Sequence, residues 1–147
     1  GSPTRNPLAE ELGADVTISY TDDDVVEQVK SHVDGSGADV TLEAAGSQAS
    51  FQQAVEMTRK GGTVSLDGIS KTRLMEIPVN DLVKEEIEYR GARAHANKAK
   101  PSAEMVRNGQ TDVDSLITHT FDFEEFEEAW EYATTRKDGA IKVALTF

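Results

Sequence analysis

The stretch from Gly37 to Ser70, GADVTLEAAGSQASFQQAVEMTRKGGTVSLDGIS, leaves the chain few choices of architecture. Asp39 to Ala45 is a short β-prone run that closes on Ala-Ala-Gly. Ser47 to Arg59 then places Phe51, Ala54, Val55 and Thr58 on one helical face. Gly61 and Gly62 are expected to stop that helix, and Thr63 to Leu66 begins a second β-prone run that closes on Gly68. A strand, a helix and a strand in this order make a right-handed parallel crossover. Both strands finish in small residues, which would let a flat ligand lie close to the backbone.

The flanking sequence extends the same alternation. Asn6 to Leu12 reads as a short helix with Asn6 as cap, Pro7 at its first position and Gly13 closing it. Asp15 to Ser19 reads as a strand, and Thr21 to His32 as a helix with Val25, Val26, Val29 and Val33 in its stripe and an acidic first turn. Beyond Ser70 come Leu74 to Pro78, a helix from Asn80 to about Glu85, and a half-alternating strand from Ile87 to Ala94 in which Gly91 marks a close approach or a bulge. Pro101 opens a helix through Val106, and Asn108-Gly109 stops it. Ile117 to Phe121 reads as a brief strand, and Asp122 with Glu125 three residues on forms a capping box. The helix that follows carries Phe123, Phe126, Ala129, Trp130 and Ala133 on one stripe, which is expected to be core. Ile141 to Phe147 closes the chain as a strand, and one domain over residues 1–147 is expected.

Charge and composition remove several function classes. With 27 acidic against 15 basic residues the net charge is −12, which repels phosphate backbones and argues against nucleic acid as a partner. No cysteine is present, so neither disulfides nor thiolate metal sites form, and His32, His95 and His119 are too dispersed for a local metal motif. No apolar run approaches the roughly 20 residues that span a bilayer, and GSPTRNP lacks the character of a signal peptide, so no membrane partner and a cytoplasmic location are expected. The acid is scattered, as a solvated surface would be, and a high-salt cytoplasm would favour such a surface.

Six phrases in series carry a resemblance: LAEELGADVTI, GSGADVTLEAAGS, RKGGTVSLDGIS, DLVKEEIEYRGARA, ITHTFDFEEFEEAWE and DGAIKVALTF. Together they cover nearly the whole chain and resemble the C-terminal part of the medium-chain, zinc-type alcohol dehydrogenases, nearest to the threonine, butanediol and polyol dehydrogenase branches. The resemblance implies an α/β fold: a truncated Rossmann-like parallel sheet flanked by helices, lacking the first two strands of the family sheet. It also implies a nicotinamide cofactor, NAD or NADP, for the parent enzyme, with weak or absent binding expected in this fragment. The family's glycine-rich pyrophosphate turn, its acidic ribose ligand and its zinc motifs have no counterpart in these residues, so residue 1 would fall just after the acidic ligand. On this resemblance the chain is expected to be a fragment, with zinc confined to the missing domain, an alcohol as the parent enzyme's substrate, and no dehydrogenase activity of its own. Without its family neighbours the strand at Asp15 would pair with the strand at Asp39, swap onto a second molecule, or be covered by other segments. A homo-oligomer is expected, and a non-catalytic oligomerising or interaction module is the alternative function.

Position by position, the resemblance gives Arg5 as a basic residue along the adenine or a ribose phosphate. Ala45, Gly46 and Ser47 would flank the adenine, and Asp67, Gly68 and Ile69 would meet the nicotinamide with backbone groups and an apolar side chain. Ala92, Arg93 and Ala94 would supply further carboxamide contacts, and Lys142 falls where the family often has a pyrophosphate-contacting arginine. Each has a plain alternative: a solvated charge at Arg5 and Lys142, strand-ending turns at Gly46 and Gly68. Ala94-His95 replaces the arginine and tyrosine usual in polyol enzymes, which sets the polyol substrate in question, and His32 and His119 read as surface or packing residues. The salt argument is testable on its own: the urea midpoint is expected to rise between low salt and molar potassium chloride, and a flat midpoint would remove the high-salt origin.

Overall fold

The computed structural model describes residues 1–92 and 97–147. The chain divides into two compact units, Ile18–Ala96 and a second made of Gly1–Thr17 with Asn97–Phe147.

The first unit is built on three parallel strands in the order β1-β2-β3: β1 (Ala38–Glu43), β2 (Thr58–Leu66) and β3 (Glu88–Gly91). Helix α3 (Gln48–Met57) makes the crossover from β1 to β2 and buries Phe51, Ala54 and Val55 against the sheet. Beneath it Val64 of β2 has no exposure, and Tyr89 of β3 meets Phe51 edge-on at 5.4 Å between ring centroids. Burial pushes the Tyr89 phenol up in pKa, with the negative charge of Asp81 adding to the effect. Its hydroxyl is a buried group with no hydrogen-bond partner among the described residues. Helices α2 (Val25–His32) and α4 (Val79–Glu85) complete the unit.

Several boundaries differ from the sequence expectation, each for a local reason. α3 ends at Met57, before the glycine pair. Thr58 is already extended, and its hydroxyl donates to the Ala54 carbonyl at 2.7 Å and lies 2.7 Å from the Thr41 hydroxyl, so a β-branched residue both closes the helix and opens β2. Gly61 and Gly62 sit inside β2, in a bulge where pairing jumps from Ala38↔Thr58 to Val40↔Thr63. Gly61 takes φ +65° there. Helix α2 starts at Val25 because the acidic residues before it close a turn: the Ser19 N–H donates to the Asp22 carboxylate at 3.1 Å, and the Asp22 N–H to the Ser19 carbonyl at 3.1 Å. The expected strand at Asp15–Ser19 joins neither sheet. Strand propensity describes fitness for a pleated, half-buried surface, and it makes no strand without a ladder to join.

The second unit repeats the crossover on a smaller scale. β4 (Ile117–Asp122) and β5 (Lys142–Thr146) pair in parallel, joined through α6 (Phe126–Thr135). The Asp122–Glu125 capping box forms as the sequence indicates, with the Asp122 N–H donating to the Glu125 carboxylate at 3.0 Å. Helix α6 turns Tyr132 toward the sheet, its ring 5.0 Å from His119 and 5.1 Å from Phe121, and buries Ala129. The stripe expected to be core is therefore corrected: Phe123, Phe126 and Trp130 are exposed, Trp130 by 60%. Helical spacing locates an apolar stripe but leaves open which edge of it faces the strands. Here the small Ala129 and the flat Tyr132 permit the closer approach. Helices α1 (Asn6–Glu11) and α5 (Ala99–Arg107) lie in the same unit, and α1 takes Arg5, not Asn6, as its N-cap.

Two substitutions test where the cores lie. Phe51→Ala is expected to cost about 3–5 kcal/mol of unfolding free energy, whereas Trp130→Ala is expected to stay within about 1 kcal/mol. Urea unfolding of the two variants measures both.

Candidate functional site

Because β1, β2 and β3 run parallel, their carboxyl ends lie along one edge of the sheet, where open α/β sheets seat ligands. The turn after β1 is Ala45-Gly46-Ser47, the turn after β2 is Asp67-Gly68-Ile69, and Ala92 follows β3. The structure brings these predicted residues together. The Ala92 N–H donates to the Leu66 carbonyl at 2.8 Å, which ties the end of β3 to the end of β2. A methyl group on Gly46 would stand 2.6 Å from the Ile69 carbonyl oxygen, and one on Gly68 would stand 2.4 Å from the Gly46 nitrogen. The two turns thus touch backbone to backbone, with no space for a ligand between them. Any ligand at this edge lies on the turns, not in a slot separating them. Ile69 projects from this floor and is 94% exposed.

A residue that sequence reasoning missed holds the floor in place. Glu43, the last residue of β1, is only 5% exposed. Its Oε1 accepts from the Ala45 and Gly46 N–H groups, each at 2.8 Å, and from the Ser50 hydroxyl at 2.7 Å. Its backbone carbonyl accepts from the Asp67 and Gly68 N–H groups, also at 2.8 Å each. An acidic residue at the end of a β-prone run, immediately before Ala-Ala-Gly, was the available signal. Ser47 caps α3, and Ser50 completes a capping box with it.

The remaining predicted residues stand elsewhere. Arg5 is the exposed N-cap of α1 and Lys142 opens β5, both in the second unit. Arg93 and Ala94, with His95, lie outside the described residues. Two cavities open at the other end of the sheet. One of about 410 Å³ is lined by Val33, Gly37, Asp39 and Arg59, and one of about 320 Å³ by Lys30, Glu56, Thr58 and Lys60. Both sit at the amino ends of the strands, away from the turns. Among the described residues no group of three or more His, Cys, Asp or Glu side chains could hold a metal ion. None of their helices is long and apolar enough to cross a membrane.

The sequence pattern of the zinc-binding dehydrogenases matches residues 1–108. The chain belongs to the zinc-binding dehydrogenase family. A sorbitol dehydrogenase of Gallus gallus is 31% identical over 98% of this chain and 40% of its own length. Alcohol dehydrogenase TADH from Thermus sp. ATN1 superposes with a TM-score of 0.90 at 26% identity, covering 99% of this chain and 42% of that one. A protein of Sinorhizobium meliloti 1021 assigned to the zinc-binding dehydrogenases, bound to NADP, superposes with a TM-score of 0.87 at 26% identity over 99% and 43% of the two chains. The chain spans about 40% of the length of the curated relatives it matches. The zinc-binding dehydrogenase likeness thus extends beyond the matched pattern to the whole chain, and it bears out the Rossmann-like α/β class of parallel sheet flanked by helices.

The backbone contact between the turns makes a direct test. Gly68→Ala is expected to lower the unfolding free energy by about 1–3 kcal/mol, since the Gly46 peptide has no flexible end that could yield. An unchanged urea midpoint would show that the turns are looser than they stand here.

Proposed function

We propose that this chain forms the nicotinamide-cofactor wall of an NAD(P)-dependent alcohol dehydrogenase, with zinc and the alcohol pocket supplied by the part of such an enzyme that the chain does not span. The observation that carries the reading is the single edge at which three parallel strands end in two interlocked small-residue turns. The NADP bound by the Sinorhizobium meliloti relative supports it. Ala45, Gly46 and Ser47 flank the adenine. Asp67 and Gly68 present backbone to the nicotinamide end, and Ile69 packs on the ring. Ala92 offers further polar backbone at the end of β3. A bound nicotinamide supplies the hydride acceptor for alcohol oxidation and the donor for the reverse reaction. These residues hold and orient it; none of them is a base or a metal ligand for the alcohol.

One observation favours a second reading, a non-catalytic oligomerising module. Phe123 stacks on Phe147 at 5.1 Å and Phe126 on Trp130 at 6.0 Å, and all four rings are exposed.

Calorimetric titration of the 147-residue chain with NAD and NADP separates the two. The first reading expects binding at millimolar concentration or tighter, with no alcohol-dependent NADH production by the chain alone. Silence toward both nucleotides, together with a dimer in equilibrium sedimentation, would favour the second.

A further inference from the structure

We propose that Glu43 is a positioning residue for the cofactor, fixing the turn after β1 against the turn after β2; the inference rests on the cofactor reading above. A carboxyl group at the end of a strand, with 5% of its residue exposed, needs donors, because an unpaired buried acceptor is costly. The carboxyl of Glu43 has them from the turn after β1 and from the first turn of α3. Its side chain takes the N–H groups of Ala45 and Gly46 and the hydroxyl of Ser50, while its main-chain carbonyl takes those of Asp67 and Gly68. Its second oxygen, Oε2, fills the space a methyl group on Gly68 would occupy, 2.6 Å from that position. One residue therefore sets where both turns stand, its carboxyl through the first turn and its main-chain carbonyl through the second.

The length of the side chain matters more than its charge. Glutamine keeps an oxygen at the place where three donors converge. Aspartate keeps the charge and withdraws the oxygens by one carbon. Alanine removes the acceptor and leaves the Ala45 and Gly46 N–H groups without it.

NADH titrations of the wild-type chain and of Glu43→Gln, Glu43→Asp, Glu43→Ala and Val55→Ala test this, alongside amide exchange at Ala45 and Gly46. Val55 stands on the core-facing side of α3, so Val55→Ala lowers stability without removing any hydrogen bond to the turns. The expected result is NADH affinity about tenfold weaker in the aspartate and alanine variants, near wild type in the glutamine and Val55→Ala variants, and faster exchange at Ala45 and Gly46 only where affinity falls. Should the alanine variant fail to fold, the aspartate and glutamine pair decides alone. Equal affinity in those two, or a loss in Val55→Ala as large as in Glu43→Asp, overturns the positioning role while the cofactor reading stands. A wild-type chain that binds no NADH at millimolar concentration overturns the cofactor reading, and this inference with it.

Discussion

The packing of α3 on the β1–β2 pair is the contact on which the first unit depends. Parallel strands cannot be joined by a tight hairpin, so their alignment is only as firm as the helix that carries the chain back. Phe51, Ala54 and Val55 press on Val64, the most enclosed side chain among the described residues. Burial of this kind contributes about 1.5–3 kcal/mol for a full-sized apolar side chain, and here it also fixes register. The Thr41, Thr58 and Ala54 hydrogen bonds anchor the amino end of β2 to the end of the same helix. With one end pinned and the middle packed, the carboxyl ends come to rest side by side. The turns that follow then meet through backbone atoms.

That sequence of causes explains how far the sequence alone could be read. The strand, helix and strand from Gly37 to Ser70 were legible because the apolar spacing changes period where the elements change. The capping box at Asp122 was legible because a cap is a local device, complete within four residues. Propensity misled where the deciding partner was distant or absent. Asp15 to Ser19 has the composition of a strand and no ladder, and α6 has the stripe of a core helix but turns its neighbouring edge to β4. At Thr58 a hydroxyl bonding back to Ala54 ended the helix before the glycines could. The glycines then served a bulge, a use that composition does not distinguish from a helix stop.

The candidate site shows the same division. Gly46 and Gly68 were visible as strand-ending small residues, but their shared requirement, backbone against backbone, depends on a contact between turns 22 residues apart in sequence. Glu43 escaped notice because its partners are main-chain N–H groups, which every sequence contains. A buried acid is read from its surroundings, and they exist only once the strand ends have met. The fold likeness to dehydrogenases at 26% identity fits this picture. A parallel crossover tolerates wide substitution on its surfaces provided that the core volume and the few close approaches are kept.

The exposed rings of α6 and of the turn before it stand among carboxylates: Glu124, Glu127, Glu128 and Glu131 flank Phe123, Phe126 and Trp130 along the same stretch of chain. Two molecules that brought these rings together would also bring their acids together. In dilute buffer the repulsion acts over tens of ångströms, and in molar salt it falls to about 3 Å. A contact made through this face would have a strength that the solvent sets. Ionic strength would act on it as a valve, holding copies apart when the medium is thin and letting aromatic surface find aromatic surface when it is concentrated.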